Sequence, residues 1–217
     1  MTRRREVMGV DQRKTRRGTR SFRSLRGWLD LPARRASRLG FAALGTALAV
    51  AAAHPAAAQQ SEADPSDVSS IGAIITAVYD VISGEAGEPR DWDRWHSLFA
   101  EGATLSAVGR APDGSVRRVI MTPASWVERS GEIITRDGFI EAEIGRTTEQ
   151  FGLIAHAFST YESYRSRSDS EPFQRGINSF QLMNDGSRWW VVSVFWQAEG
   201  PGFPIPDQYI GNIGGVK

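Results

Sequence analysis

From Asp67 the chain places Ile71, Ile74, Ile75, Val78 and Ile82 at helical spacing, and Gly84, Gly87 and Pro89 close the segment. The spacing predicts a helix with Ser66 as its N-cap, the serine hydroxyl taking up a free backbone N–H. A second, short helix is predicted from Asp91, with Trp92, Trp95, Leu98 and Phe99 on one face. After Glu101-Gly102 the period changes to that of strands. Ala103 to Val108 and Val116 to Met121 are joined by a turn at Pro112-Asp113-Gly114. Thr122-Pro123 opens a third helix around Trp126 and Val127. The remainder reads as strands over 138–147, 151–164, 175–183 and 189–198. Asn184-Asp185-Gly186 makes the last hairpin turn, and Arg165 to Pro172 forms a polar loop before it. Helices first and long strands afterwards argue α+β, with a mostly antiparallel, strongly curved sheet wrapped over the N-terminal helices.

The first 58 residues differ in kind. A 15-residue apolar run, Leu39 to Ala53, follows Arg34, Arg35 and Arg38 and exits through His54-Pro55-Ala56-Ala57-Ala58. Positive flank, short apolar stretch and small-residue exit describe a secretory signal peptide, with cleavage expected after Ala58. The run is short against the ~20 residues a membrane-spanning helix needs. Both general secretion and twin-arginine export at Arg34-Arg35 are compatible with it. However, Ala36-Ser37-Arg38-Leu39 lacks the apolar residue expected two places after the pair. The expected organisation is a leader over 1–58, a flexible tether over 59–66, one domain over 67–198 and an extended Gly/Pro-rich strap over 199–217. The expected destination is the periplasm or the exterior.

Composition sharpens this division. The whole chain of 217 residues has a formal charge of +1, but 13 of its 26 basic residues precede residue 59. Residues 59–217 hold 13 basic and 22 acidic residues, a net −9, which argues against nucleic acid as a partner. With 41% hydrophobic residues the chain can bury a core. It has no cysteine, which excludes disulfides, thiol nucleophiles and Cys-ligated metals. Two histidines beyond the leader, His96 and His156, stand far apart with no metal-ligand spacing, so no metal site is expected.

The element order carries a resemblance. The segment Asp91-Trp92-Asp93-Arg94-Trp95-His96-Ser97-Leu98-Phe99 leads into a strand. The closing strands read Ala155-His156-Ala157-Phe158-Ser159-Thr160-Tyr161-Glu162-Ser163, Arg175-Gly176-Ile177-Asn178-Ser179-Phe180-Gln181-Leu182 and Arg188-Trp189-Trp190-Val191-Val192. Over about Asp67 to Ala198 the chain resembles the nuclear transport factor 2-like superfamily, which includes SnoaL-like proteins, ketosteroid isomerases and scytalone dehydratases. The resemblance implies a cone-shaped α+β barrel with a deep, largely apolar pocket, often dimeric and without an obligatory cofactor. Enzymes and non-enzymes share the fold, so function rests on the site.

His156 lies mid-strand and suits proton transfer near neutrality if its face lines the pocket, or a structural hydrogen bond if it does not. His96 falls beside the apolar stripe of its helix, as a boundary residue would. The Tyr-Asp pair of the dehydratases corresponds to Tyr79-Asp80. With Ile71, Ile75, Val78 and Ile82 inward, Asp80 points almost directly away, so the match fails at its carboxylate, while Tyr79 reaches the pocket mouth. No Asp matches the base of the isomerases. Arg175, Asn178 and Gln181 are polar positions in an apolar hairpin. An inward Arg175 would hold a carboxylate or enolate-like oxygen, and an outward one would pair with Glu162 or Glu171. Trp95 and Trp196 serve either stacking on a flat ligand or core packing.

The candidate catalytic residues are therefore His156 and Tyr79, and the candidate ligand contacts Trp95, Arg175, Asn178, Gln181 and Trp196. Three functions are carried forward: an exported domain binding a small apolar or amphipathic molecule, a cofactor-independent lyase or isomerase using His156, and a homodimeric interaction module.

Overall fold

The computed structural model describes residues 62–111 and 113–211, and the backbone of 213–216. The leader, its cleavage site and the start of the tether lie outside the described residues. The folded unit begins ahead of Asp67, because Ala63 is buried and a short helix α1 (Pro65–Val68) follows it. Asp64, not Ser66, caps α1, accepting the Ser66 N–H. The chain then breaks at Ser69-Ser70 and restarts as α2 (Ile71–Ile82), whose cap is Ser70 accepting from the Ala73 N–H. The apolar stripe expected to face inward does so: Ile71, Ile75, Val78 and Ile82 are all buried.

α3 (Trp92–Ser97) is capped by Asp91, and α4 (Pro123–Asp137) by a reciprocal pair between Thr122 and Ser125. The strands are β1 (Phe99–Arg110), β2 (Val116–Met121), β3 (Ile140–Phe151), β4 (Ile154–Tyr164), β5 (Gln174–Asn184), β6 (Trp189–Ala198) and β7 (Ile213–Val216). They form one mixed seven-stranded sheet in the order β2-β1-β6-β5-β4-β3-β7, antiparallel except where β1 meets β6 and β3 meets β7. Among the described residues β2 and β7 stand at opposite edges and do not pair, so the sheet is open rather than a closed barrel.

Several boundaries differ from the sequence expectation: Phe99, expected on the face of the second helix, opens β1 ahead of Ala103, and β3 runs to Phe151 rather than to Thr147. Phe151 ends β3 instead of opening β4, because Gly152 takes φ of 55° and turns the chain in two residues. Beyond the strap's Gly/Pro run, residues 213–216 add the edge strand β7.

The core lies between the helices and one face of the sheet. Ile74, Ile75, Leu98, Phe99, Phe180 and Val191 are essentially inaccessible. Trp95 stacks on Trp126 at 4.7 Å between centroids, and its indole N–H donates to the Pro123 carbonyl. Arg90 locks the helices beneath this layer. Its buried guanidinium donates to the carbonyls of Ile82, Gly84, Glu88 and Ile134, joining the end of α2 to α4. Replacing Arg90 by Met removes all of these bonds and leaves the Gly84 carbonyl with the Phe139 N–H alone, so a loss of about 2–4 kcal/mol in urea unfolding is expected. An unchanged midpoint would show that water replaces the guanidinium freely.

Candidate functional site

Along β4 the residues Ala155, Ala157, Ser159, Tyr161 and Ser163 are buried against the helices, and the alternate ones face the other side. Register carries this division across the sheet. Ser163 stands opposite Glu141, Tyr161 opposite Glu143 and Ser159 opposite both Arg146 and Asn178. Ser159, Ser163, Arg146 and Asn178 thus meet the carboxylates of Glu141 and Glu143 on the inner face, where Tyr79 descends from α2.

Their hydrogen bonds have a fixed direction. The Asn178 amide donates to Tyr79 Oη at 3.1 Å and to Glu141 Oε1 at 3.2 Å. Ser159 Oγ lies 2.7 Å from Tyr79 Oη and donates its only proton to Glu143 Oε1 at 2.5 Å. The Tyr79 hydroxyl must therefore be the donor to Ser159. Arg146 closes the chain with two bonds to Glu143, 2.8 and 2.6 Å, in a pair whose side chains are 7% and 9% exposed.

Glu141 differs from Glu143. It accepts from Asn178 and, at 3.1 Å, from Ser163 Oγ, but among the described residues it forms no ion pair. Burial without a cation pushes its carboxyl up to about 7, and the two hydrogen bonds only partly oppose that. Burial and the nearby Glu141 and Glu143 carboxylates push the Tyr79 phenol well above its ordinary value despite bonds to Ser159 and Asn178. Ser83 ties the strand to α2, accepting the Glu141 N–H at 2.9 Å and donating to the Tyr79 carbonyl at 2.7 Å.

Over this network runs a groove of about 310 Å³, lined by Thr76, Tyr79, Asp80, Ser83, Ile140, Glu141, Glu143 and Arg167. Seven of these eight side chains carry a polar group, and Ile140 is the one wholly hydrocarbon side chain among them. Asp80 lies at its rim, exposed and held by Arg94 at 2.5 Å, in keeping with its outward place on the helical wheel.

Of the residues singled out from sequence, Tyr79 and Asn178 belong to this site. Trp196 stands opposite Asn178 and packs on the core from the same face. Trp95 is core, 2% exposed, stacked between Trp126 and Phe99. His156, Arg175 and Gln181 lie on the opposite face of the sheet, so His156 and Tyr79 do not meet. The His156 imidazole shares a hydrogen bond of 3.0 Å with Ser179 Oγ. Arg175 lies 3.5 Å from Glu162 and 3.7 Å from Glu199, the outward pairing, and Gln181 is exposed. His96 is half-buried at the edge of its helix. Glu141, Glu143, Arg146, Ser159 and Ser163 were not indicated by the sequence reading. The available signal was Ser159 and Ser163, small polar residues at inward positions of a strand otherwise facing the core with Ala155, Ala157 and Tyr161. Among the described residues no group of three or more His, Asp or Glu side chains is placed to hold a metal ion.

No family model matches the chain, and no curated protein does. Solved structures similar to it include a protein of unknown function with a cystatin-like fold from Nostoc punctiforme, 12% identical, covering 60% of this chain and 89% of that one, with a TM-score of 0.44. An NTF2-like protein of unknown function from Shewanella baltica is 14% identical over 58% of this chain and 89% of that one, TM-score 0.40. The yeast UBP3-associated protein BRE5 is 11% identical over 59% of this chain and 92% of that one, TM-score 0.42. NTF2-like proteins, the class whose element order the sequence resembles, are thus among the structures this chain is similar to.

Proposed function

We propose that this chain is an exported small-molecule-binding domain whose site is the groove between α2 and β3. The observation that carries the reading is Glu141, a carboxyl withdrawn from solvent and from any cation among the described residues. It is held by two neutral donors beside an open groove. Such a group costs stability unless something else uses it. A ligand placed there would meet hydrogen-bonding side chains on nearly every side and Ile140 as its apolar contact, which favours an amphipathic molecule over a wholly apolar one. Curvature of the sheet into the cone of the nuclear transport factor 2-like fold would deepen the groove around it.

A second reading is a cofactor-independent lyase or isomerase. A carboxyl that changes charge near neutrality, next to the Tyr79–Asn178 pair, favours it, with Glu141 rather than His156 moving the proton. The homodimeric module is favoured by Ile154, Met183 and Phe195, exposed on the outer face of the sheet.

Native mass spectrometry of the protein purified from its own host separates these readings in one spectrum. The expected result is a chain beginning at Gln59 with a non-covalent small molecule that the Glu141→Gln variant fails to retain. A ligand-free dimer would overturn the binding reading in favour of the interaction module. A retained molecule recovered chemically altered would favour the enzyme.

A further inference from the structure

The C-terminal strap ends on the back of the strand that carries the site. Pairing of β3 with β4 steps from Glu143 opposite Tyr161 to Gly145 opposite Thr160, so Ile144 is an extra residue, a β-bulge. In an uninterrupted strand alternate residues share a face, which would turn Arg146 outward when Glu143 points inward. With the bulge, Arg146 stands opposite Ser159 on the inner face, three residues from Glu143 and within reach of both its oxygens.

The strap grips the same bulge from the outer side. The Gly211 N–H donates to the Ile144 carbonyl at 2.8 Å. The Tyr209 carbonyl oxygen lies 2.2 Å from where a Cβ on Gly145 would be, so only glycine admits the strap there. The Tyr209 ring packs on Phe158 at 5.1 Å, edge to face, and Ile205 is buried. β7 then continues alongside β3.

We infer that the strap is a clamp on the bulge of β3: seated, it holds the register that places Arg146 against Glu143, and its release regulates the groove from the opposite face of the sheet. The consequence for the groove rests on the function proposed above, whereas the clamp itself needs no ligand. With the strap away, β3 can recover the ordinary alternation by slipping one residue. Arg146 then leaves Glu143, and the carboxylate that fixes the direction of the Ser159–Tyr79 bonds loses its cation.

Two variants of the full chain test it by NMR. Gly211→Pro removes the N–H that bonds Ile144 and cannot adopt the φ of 84° found there. Gly145→Val fills the space that the Tyr209 carbonyl occupies. The Tyr209–Phe158 nuclear Overhauser contact reports strap seating, and the Arg146 Nε–H signal reports the ion pair. Hydrogen exchange of the α2 and β5 amides reports the fold. The expected result is loss of the Tyr209–Phe158 contact together with at least tenfold faster exchange of the Arg146 Nε–H, while the α2 and β5 amides keep their protection. An Arg146 signal unchanged in a variant whose strap has been released would overturn the inference, and so would a strap that stays seated in both. Should Gly145→Val fail to fold, Gly211→Pro decides alone. If Arg146 responds but native mass spectrometry finds no bound molecule, the clamp stands and the proposed function falls.

Discussion

Glu141→Gln is expected to remove a pH dependence of stability that the natural protein shows between pH 5 and pH 8. The carboxyl titrates near 7 in the folded chain and near 4.5 when unfolded. Between those values the folded state holds a proton that the unfolded state has released, so stability falls as pH rises through the window. The loss is complete once the folded carboxyl has ionised above pH 7. From pH 5 to pH 8 this amounts to about 2–3 kcal/mol. Glutamine imitates the protonated form: its carbonyl can accept from Asn178, and the Ser163 hydroxyl can turn to accept from its amide. The variant should therefore lie close to the natural protein at pH 5, within about 1 kcal/mol, and exceed it by about 2–3 kcal/mol more at pH 8. Urea unfolding at the two values measures this directly, and the difference between the two proteins cancels other titrating groups. Equal differences at both pH values would mean that the carboxyl is as well solvated in the groove as in the unfolded chain.

Much of this architecture was legible in the sequence, and the exceptions share a cause. β2 and β6 carry the boundaries that their residue patterns predict, Val116–Met121 and Trp189–Ala198. The wheel of α2 placed Asp80 outside, where it stands 64% exposed. Those are local properties. The site is not local, since Tyr79, Glu141, Ser159 and Asn178 come from four elements and meet only through register. The one-residue bulge at Ile144 also shifts the alternation that would have marked Arg146 as inward. His156 shows the same limit from the other side: the two-residue period placed it correctly with Phe158 and Thr160, but period alone does not say which face the helices cover. The parallel pairing of β1 with β6, and the addition of β7 beside β3, leave no mark in either strand's own sequence.

The buried pair at the bulge carries the other large effect. Arg146 and Glu143 are both more than nine-tenths shielded, so their charges exchange water for each other and for Ser159. Removing one partner leaves a carboxylate in a medium that solvates it poorly, whereas removing both leaves only packing to repair. Arg146→Met is therefore expected to lose about 3–5 kcal/mol in urea unfolding. Glu143→Gln with Arg146→Met should lose markedly less than Arg146→Met alone, although it carries one more substitution. The glutamine carbonyl can still accept the Ser159 proton, so the double variant keeps the Tyr79 hydroxyl directed inward. A double variant that loses the sum of the two singles would show that the pair acts as two independent side chains. A loss below about 1 kcal/mol for Arg146→Met would show that water reaches the bulge freely. The first result would also detach the site from the strap, because the clamp acts on the groove only through this pair. Stability and site organisation are thus carried by the same two charges, which a single extra residue in β3 brings to one face.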